Sequence, residues 1–226
     1  MKRWFIWLFL GSLSGSVSAQ MVLQDSSKYF KGIQMIASAD SELEYQDAAE
    51  YFVRLSVEDS FHWLPHYYAG LCYTLSSDND NEPKRRDQVI NKAQHEVDQG
   101  LAISPSENEL LILQAFVYQA RILVHPLVRG LNYSLKAGSV LDKVLESDPG
   151  NPRALMLKGY NTYYTPAIAG GGPEKALPFF LEAQKNFGSF KPTSEITPRW
   201  GEKQTIEMIG NCRHEMKVGN AAGVSR

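Results

Sequence analysis

The sequence predicts an all-α protein made of paired antiparallel helices, and three observations point to this class. Apolar residues recur at helical spacing along most of the chain, whereas the alternating runs typical of strands are weak. One pattern of small and large residues recurs four times. Proline or glycine follows most helical segments, where a helix is expected to stop. At 226 residues and 43% hydrophobic, the chain can bury one large core or two small ones.

The first 19 residues have the layout of a secretory signal peptide. Lys2 and Arg3 precede the apolar run 4–10, and small or polar residues follow as far as Ala19. The apolar run is too short to span a bilayer, which needs about 20 residues. We therefore expect cleavage after Ala19 and an exported chain, periplasmic or secreted, without stable membrane insertion. A retained interfacial anchor is the alternative.

Nine helices are expected in the mature chain, with residues 20–216 forming one helical repeat domain and 217–226 a flexible tail. The apolar spacing and the stop signals place the helices at 28–38, 43–56, 62–76, 86–103, 107–123, 132–147, 151–164, 173–187 and 202–215.

Every second helix carries the recurring pattern, in which a small residue is followed four positions later by a large apolar one. The pattern begins at Ala48, Ala93, Ala137 and Ala176. Spacings of four and seven put its members on one helical face. The small residue lets a neighbouring helix approach, and the large one fills the groove beside it.

These residues resemble the tetratricopeptide-repeat (TPR) family. In that family the first helix of each pair has a small eighth residue, which Gly70, Ala115 and Gly159 match. The second helix begins its pattern with alanine and ends at proline, as Pro105 and Pro149 do. The resemblance implies a right-handed superhelix (α-solenoid) of about four antiparallel pairs plus a C-terminal capping helix.

The repeat step departs from the usual length of about 34 residues. Successive alanine sites lie 45, 44 and 39 residues apart, and the extra residues are predicted as loops at 76–86, 124–132 and 164–172. In its long steps and inserted loops, the chain is similar to exported bacterial TPR-like proteins with long intra-repeat loops. The segment 198–201 and the helix after it are interpreted as the terminal cap.

The TPR resemblance also implies which side chains line the concave groove. Those predicted to form the binding site are Tyr67, Leu71, Ile112, Phe116, Met156, Tyr160 and Tyr163. An apolar, aromatic lining suits an amphipathic peptide or a flat hydrophobic ligand.

We expect a non-enzymatic scaffold or adaptor that binds a protein or peptide partner, with the inserted loops as a second contact surface. The alternative is a periplasmic carrier of a small hydrophobic ligand in the same groove. A third interpretation is that an added helix, such as the carboxy-terminal one, fills the groove and makes these residues core.

No catalytic residues, metal ligands or cofactors are predicted. His62 and His66 have the spacing of a two-histidine metal site, but no carboxylate signature accompanies them. The acidic run from Asp78 to Glu82 lacks the glycine of a calcium loop. An isoelectric point of about 6.2 disfavours nucleic-acid binding.

Two further features are assigned structural roles. The glycines 170–172 precede a helix start and are interpreted as a hinge rather than an anion site. Cys72 lies in an apolar helical pattern that favours a buried free thiol, although pairing with Cys212 is left open.

Overall fold

The protein is all-helical in a computed structural model that describes residues 15–78 and 82–224, with side chains described from 26 to 78 and from 82 to 218. Within these ranges there are nine α-helices and no strand. They are α1 (Gly15–Ser38), α2 (Glu42–Glu58), α3 (Leu64–Asp78), α4 (Pro83–Ile103), α5 (Asn108–Val124), α6 (Pro126–Ser147), α7 (Pro152–Tyr164), α8 (Pro173–Ser189) and α9 (Glu202–Val224).

Helix starts follow from local chemistry. At α2, Ser41 accepts from the Glu44 amide while the Glu44 carboxylate accepts from the Ser41 amide, which satisfies two otherwise unpaired N–H groups. At α7, the Asn151 side chain accepts from the Ala154 amide at 3.1 Å, and Pro152 occupies the first turn. At α2 and α7, the residues beside the first turn therefore set where the helix begins.

Each helix packs against the next, and short connections make neighbours antiparallel. In addition, α3 contacts α5, and α5 contacts α7, so these three helices form one layer. They run parallel, because the first turns of α5 and α7 meet through Glu109 and Arg153. The layer places the predicted binding residues of successive pairs side by side.

The core consists of two clusters of buried side chains, one centred on α2–α5 and one on α5–α9. The four repeated alanines are fully buried, as the spacing predicted. Phe116 and Trp200 contact both clusters. The two side chains therefore lie where the clusters meet.

Three boundary predictions were wrong. Residues 126–132 belong to α6, because Pro126 starts the helix and apolar residues continue at spacings of four. The predicted loop 76–86 is shortened, since α3 continues to Asp78 and α4 begins at Pro83. The helix expected to end near 215 continues to Val224, so most of the tail is helical.

The connection 164–172 remains largely a loop, with one 3₁₀ turn at Ala167–Ala169. The apolar run of the predicted signal peptide lies outside the described residues. Helix α1 begins at Gly15 and continues past Ala19. No helix in the described part of the chain is long and apolar enough to cross a membrane.

Gly159 gives a stability prediction for the α7–α8 contact. A Cβ at this position would lie 2.7 Å from the Phe180 ring, whereas one at Gly210 would meet nothing within 4 Å. We expect Gly159→Ala to lower the free energy of unfolding by about 1–2 kcal/mol through overpacking. The matched Gly210→Ala should raise it by about 0.5–1 kcal/mol. Urea unfolding followed by circular dichroism measures both, and equal effects would contradict the close packing.

Candidate functional site

The inner face is the side of α3, α5 and α7 that carries the seven residues predicted to bind. The structure divides these residues into two groups. Tyr67, Leu71, Ile112 and Met156 are buried, whereas Phe116, Tyr160 and Tyr163 are partly exposed.

The buried group is covered by the chain itself. Residues 190–200, here called the strap, connect α8 to α9 without forming a helix. The Trp200 indole N–H donates to the Tyr67 hydroxyl at 2.7 Å, and the Tyr68 hydroxyl donates to the Ile196 carbonyl at 2.7 Å. Both tyrosines belong to α3, so the strap reaches back more than 120 residues in sequence.

The prediction that all seven residues face a partner is therefore wrong for four of them. Tyr67 lies under Trp200, and Met156 lies against Gly201 at the end of the strap. Leu71 and Ile112 pack into the two core clusters. This part of the inner face, here called the closed half, matches the interpretation in which the chain fills its own groove.

The open half of the inner face consists of the partly exposed aromatic residues beside the strap. Phe116 stacks on Trp200, with ring centroids 5.6 Å apart. One turn along α5, the Gln119 side chain donates to the Leu157 carbonyl of α7 at 2.8 Å. This bond holds α5 beside α7, so Phe116 and Tyr160 lie on adjacent helices of the same face. The open half is an aromatic surface with one wall formed by the strap.

Three tyrosine rings continue this surface at the end of α7. Tyr164 stacks on Tyr160 at 6.3 Å and meets Tyr163 edge to face at 5.0 Å. The Tyr160 ring is itself supported edge to face by the buried Phe180. Such arrangements hold aromatic rings in fixed orientations. The cluster can therefore present flat apolar faces to a ligand.

The pKa values of two phenol groups in this cluster, those of Tyr160 and Tyr163, are raised. Burial, together with the neighbouring Tyr164 and the Glu207 carboxylate, raises the pKa of Tyr160 to about 12. The hydrogen bond that Tyr163 donates to Glu215 of α9 raises the pKa of Tyr163. Neutral rings of this kind can stack on a ligand and donate hydrogen bonds. The carboxylates at Glu207 and Glu215 add negative charge along the α9 side.

A buried ion pair underlies the closed half. The Arg153 side chain is 0% exposed and meets Glu109 through two bonds, Nε–Oε2 at 2.9 Å and Nη2–Oε1 at 2.5 Å. Its guanidinium lies 4.7 Å from the Phe190 ring of the strap. Arg153 Nη1 has no hydrogen-bond partner among the described residues. Nothing in the sequence indicated that these two residues pair.

A second apolar surface lies on the first half of α6, partly within the segment 124–132 that was predicted to be a loop and a second contact surface. On α6, Leu127, Leu131 and Leu135 follow at spacings of four and are largely exposed. The bond from the Asn161 side chain to the Ser134 carbonyl places this stripe beside the end of α7. The spacing of the leucines was the signal that could have revealed it.

The two histidines considered as metal ligands each pair with a nearby carboxylate. His62 pairs with Asp59, and His66 Nδ1 lies 2.8 Å from Glu96 Oε2. No group of three or more metal-ligating side chains occurs in the described part of the chain. Asp80 of the acidic run lies outside the described residues.

The glycine loop and the cysteines have structural roles in the described chain. The amides of Gly170, Gly171 and Gly172 all donate to backbone carbonyls, which leaves none directed at an anion. Cys72 and Cys212 are buried and free, so the pairing that the sequence left open does not form.

Comparison with known proteins connects this architecture to a class of carrier. No protein-family model matches the chain, and no curated protein matches it. Among solved structures, a haemophore shares the fold over nearly the whole chain. It is the HusA haemophore from Porphyromonas gingivalis, with a TM-score of 0.73 and 26% sequence identity. The match covers 90% of this chain and 96% of the haemophore.

Proposed function

We propose that this chain is an exported, non-enzymatic carrier that binds a flat hydrophobic ligand of the haem class on the open half of the inner face. One observation carries the proposal: aromatic side chains remain accessible on the inner face of a chain whose fold matches a haemophore. The signal-peptide layout of residues 1–19 supports export. The TPR-like arrangement of helix pairs explains why the site lies on the helices α3, α5 and α7.

The residues of the open half fit a porphyrin through stacking. Phe116 and Tyr160 are partly exposed on adjacent helices, each with one ring face already stacked on Trp200 or Tyr164, and a macrocycle is a large flat π-system that can extend these stacks. The raised pKa of Tyr160 disfavours a phenolate, so stacking rather than iron ligation by this hydroxyl is expected to supply most of the affinity. Haem, as cargo, would bring its own iron chemistry. The chain's residues would hold and shield the ring.

The charge around the site determines how a porphyrin would lie. Glu207 and Glu215 line the α9 side, so carboxylate groups on a ligand are repelled from it. The apolar edge of the ring is therefore expected to enter the groove, with the carboxylates directed to solvent. This orientation needs no buried cation at the site.

A second candidate function is docking to a protein partner, as the sequence first suggested. The specific observation that favours it is the exposed stripe of Leu127, Leu131 and Leu135 on α6. Exposed apolar stripes of this kind mark interaction sites in many proteins. The stripe lies outside the inner face, so a carrier could use both surfaces.

The test is a titration of the mature chain with haem and with metal-free protoporphyrin IX, followed by absorbance and by Trp fluorescence. We expect both to bind, because ring stacking is the main contact. Tyr160→Ala should weaken binding about tenfold, since a stacked aromatic ring contributes about 1–1.5 kcal/mol.

The matched control is Tyr133→Ala, which removes a partly buried tyrosine on α6 that packs on Tyr118 outside the groove. It should leave both affinities unchanged. Failure of both ligands to bind, or equal losses in the two variants, would contradict the carrier proposal.

A further inference from the structure

The strap carries little structure of its own. Between Ser189 and Glu202 it forms no helix, and its tip is a turn in which the Thr197 hydroxyl accepts from the Ser194 amide at 3.0 Å. Residues 193–195 at this tip are exposed. Segments with few buried contacts and exposed backbone open at low free-energy cost. The strap is thus one of the segments most easily released from the fold.

Its attachments to the helices combine two hydrogen bonds with ring and apolar contacts, and Trp200 both stacks on Phe116 and packs against the two core clusters. One hydrogen bond joins the Tyr68 hydroxyl to the Ile196 carbonyl, and one joins the Trp200 indole to Tyr67. The Phe190 ring lies on the Arg153 guanidinium. Release of the strap has to free the Trp200 ring from both core clusters, whereas α3 also packs directly on α4 and α7 directly on α8.

The chain turns sharply at Gly201, where the strap meets α9. Gly201 has φ +112°, a backbone conformation that residues with a side chain rarely adopt. A Cβ at Gly201 would lie 2.8 Å from the Phe187 ring, so the close approach also requires glycine. This residue lets the chain reverse from the strap into α9.

Closure of the strap leaves one donor without a partner. Arg153 Nη1 is buried and unbonded among the described residues, and the Phe190 ring covers the guanidinium. A buried polar group without a hydrogen bond destabilises the arrangement that buries it. Release of the strap would give this group access to water, which narrows the free-energy difference between the closed and open arrangements.

The surface beneath the strap resembles the open half. Tyr67, Tyr68 and Met156 lie there, continuous with Phe116 through Trp200. A released strap would extend the aromatic surface across all three inner helices. The added area would suit a ligand larger than the open half alone can hold.

We propose that the strap is a displaceable internal occupant of the groove, which fills the closed half in the free protein and swings out about Gly201 when a flat ligand binds. This inference rests on the carrier function proposed above. Because release of the strap adds the contact area of the closed half, the released arrangement binds the ligand more tightly, and the apparent affinity is reduced by the fraction of molecules in which the strap is closed. Weakening an attachment of the strap should therefore tighten ligand binding.

The test uses Tyr68→Phe, which removes the hydroxyl bonded to Ile196 and keeps the ring stacked on Phe52 at 4.9 Å. We expect faster amide hydrogen exchange in 191–199 and about threefold to tenfold tighter binding of protoporphyrin IX, as loss of one buried hydrogen bond would produce. Tyr51→Phe is the control, because it removes an equivalent bond from a tyrosine hydroxyl to a backbone carbonyl, that of Lys28, away from the strap.

A second measurement on the unmodified chain keeps the test independent of that variant. Binding of protoporphyrin IX should raise amide exchange in 191–199 if the strap is displaced. Slower exchange on binding, or unchanged affinity in Tyr68→Phe, would overturn the strap proposal while leaving the carrier function intact. Absence of binding to both the unmodified chain and Tyr68→Phe would instead overturn the carrier function, and the strap proposal with it.

Discussion

Glu109→Gln is expected to lower the free energy of unfolding by about 3–5 kcal/mol. The substitution leaves the Arg153 guanidinium buried without a counter-ion, and uncompensated buried charges have costs of this size. Urea unfolding monitored by circular dichroism measures the change. The effect is large because Arg153 is 0% exposed and forms both of its short bonds to the Glu109 carboxylate.

Two variants test the cause of this loss. The double variant Arg153→Met with Glu109→Gln removes both charges and should recover most of the stability. Glu182→Gln removes an exposed partner of Lys185, where the side chains are 49% and 73% exposed, and should have an effect below about 1 kcal/mol. If Glu109→Gln costs no more than Glu182→Gln, the buried pair does not stabilise the inner face as described.

The double variant Phe116→Ala with Tyr160→Ala is expected to weaken protoporphyrin binding about a hundredfold. Each ring is expected to contribute about 1–1.5 kcal/mol by stacking, and the two lie on adjacent helices of the open half. Fluorescence titration of the mature chain gives the two dissociation constants.

Loss of packing must be separated from loss of stacking, because Phe116 contacts both core clusters. Phe116→Leu with Tyr160→Leu keeps most of the apolar volume and should preserve stability while still losing most of the affinity. Binding by the alanine variant at the strength of the unmodified chain would show that the ligand lies elsewhere.

Helix number and order could be predicted from the sequence because their signals are local. The repeated alanines are all fully buried, and Gly159 lies in close contact with Phe180, as small residues between packed helices should. Capping residues and prolines set most boundaries within a few positions. The exceptions were the starts of α1 and α6 and the end of α9, and at α6 the residues His125, Pro126 and Gly130 suggested a loop.

The strap could not be predicted, since its contacts leave no local pattern. Tyr68 and Ile196 are 128 residues apart, and Tyr67 and Trp200 are 133 apart. The segment 190–200 has neither helical nor strand periodicity, so nothing in it points toward the inner face. The same limit explains why the burial of four of the seven predicted binding residues could not be foreseen.

The Glu109–Arg153 ion pair could not be predicted from the sequence either, and for a different reason. Glu109 and Arg153 lie in the first turns of α5 and α7 and are 44 residues apart in sequence. Their pairing depends on how α5 and α7 are aligned, which helical periodicity does not determine. Tertiary packing therefore decides which inner-face residues are part of the core and which remain accessible.

The most direct test of the account is to locate a bound porphyrin by amide chemical-shift mapping of the isotope-labelled mature chain with metal-free protoporphyrin IX. We predict that the largest shifts fall at 116–123, at 160–164 and around Trp200. Shifts confined to 127–135 on α6, or no shifts at saturating ligand, would contradict a binding site on the open half of the inner face.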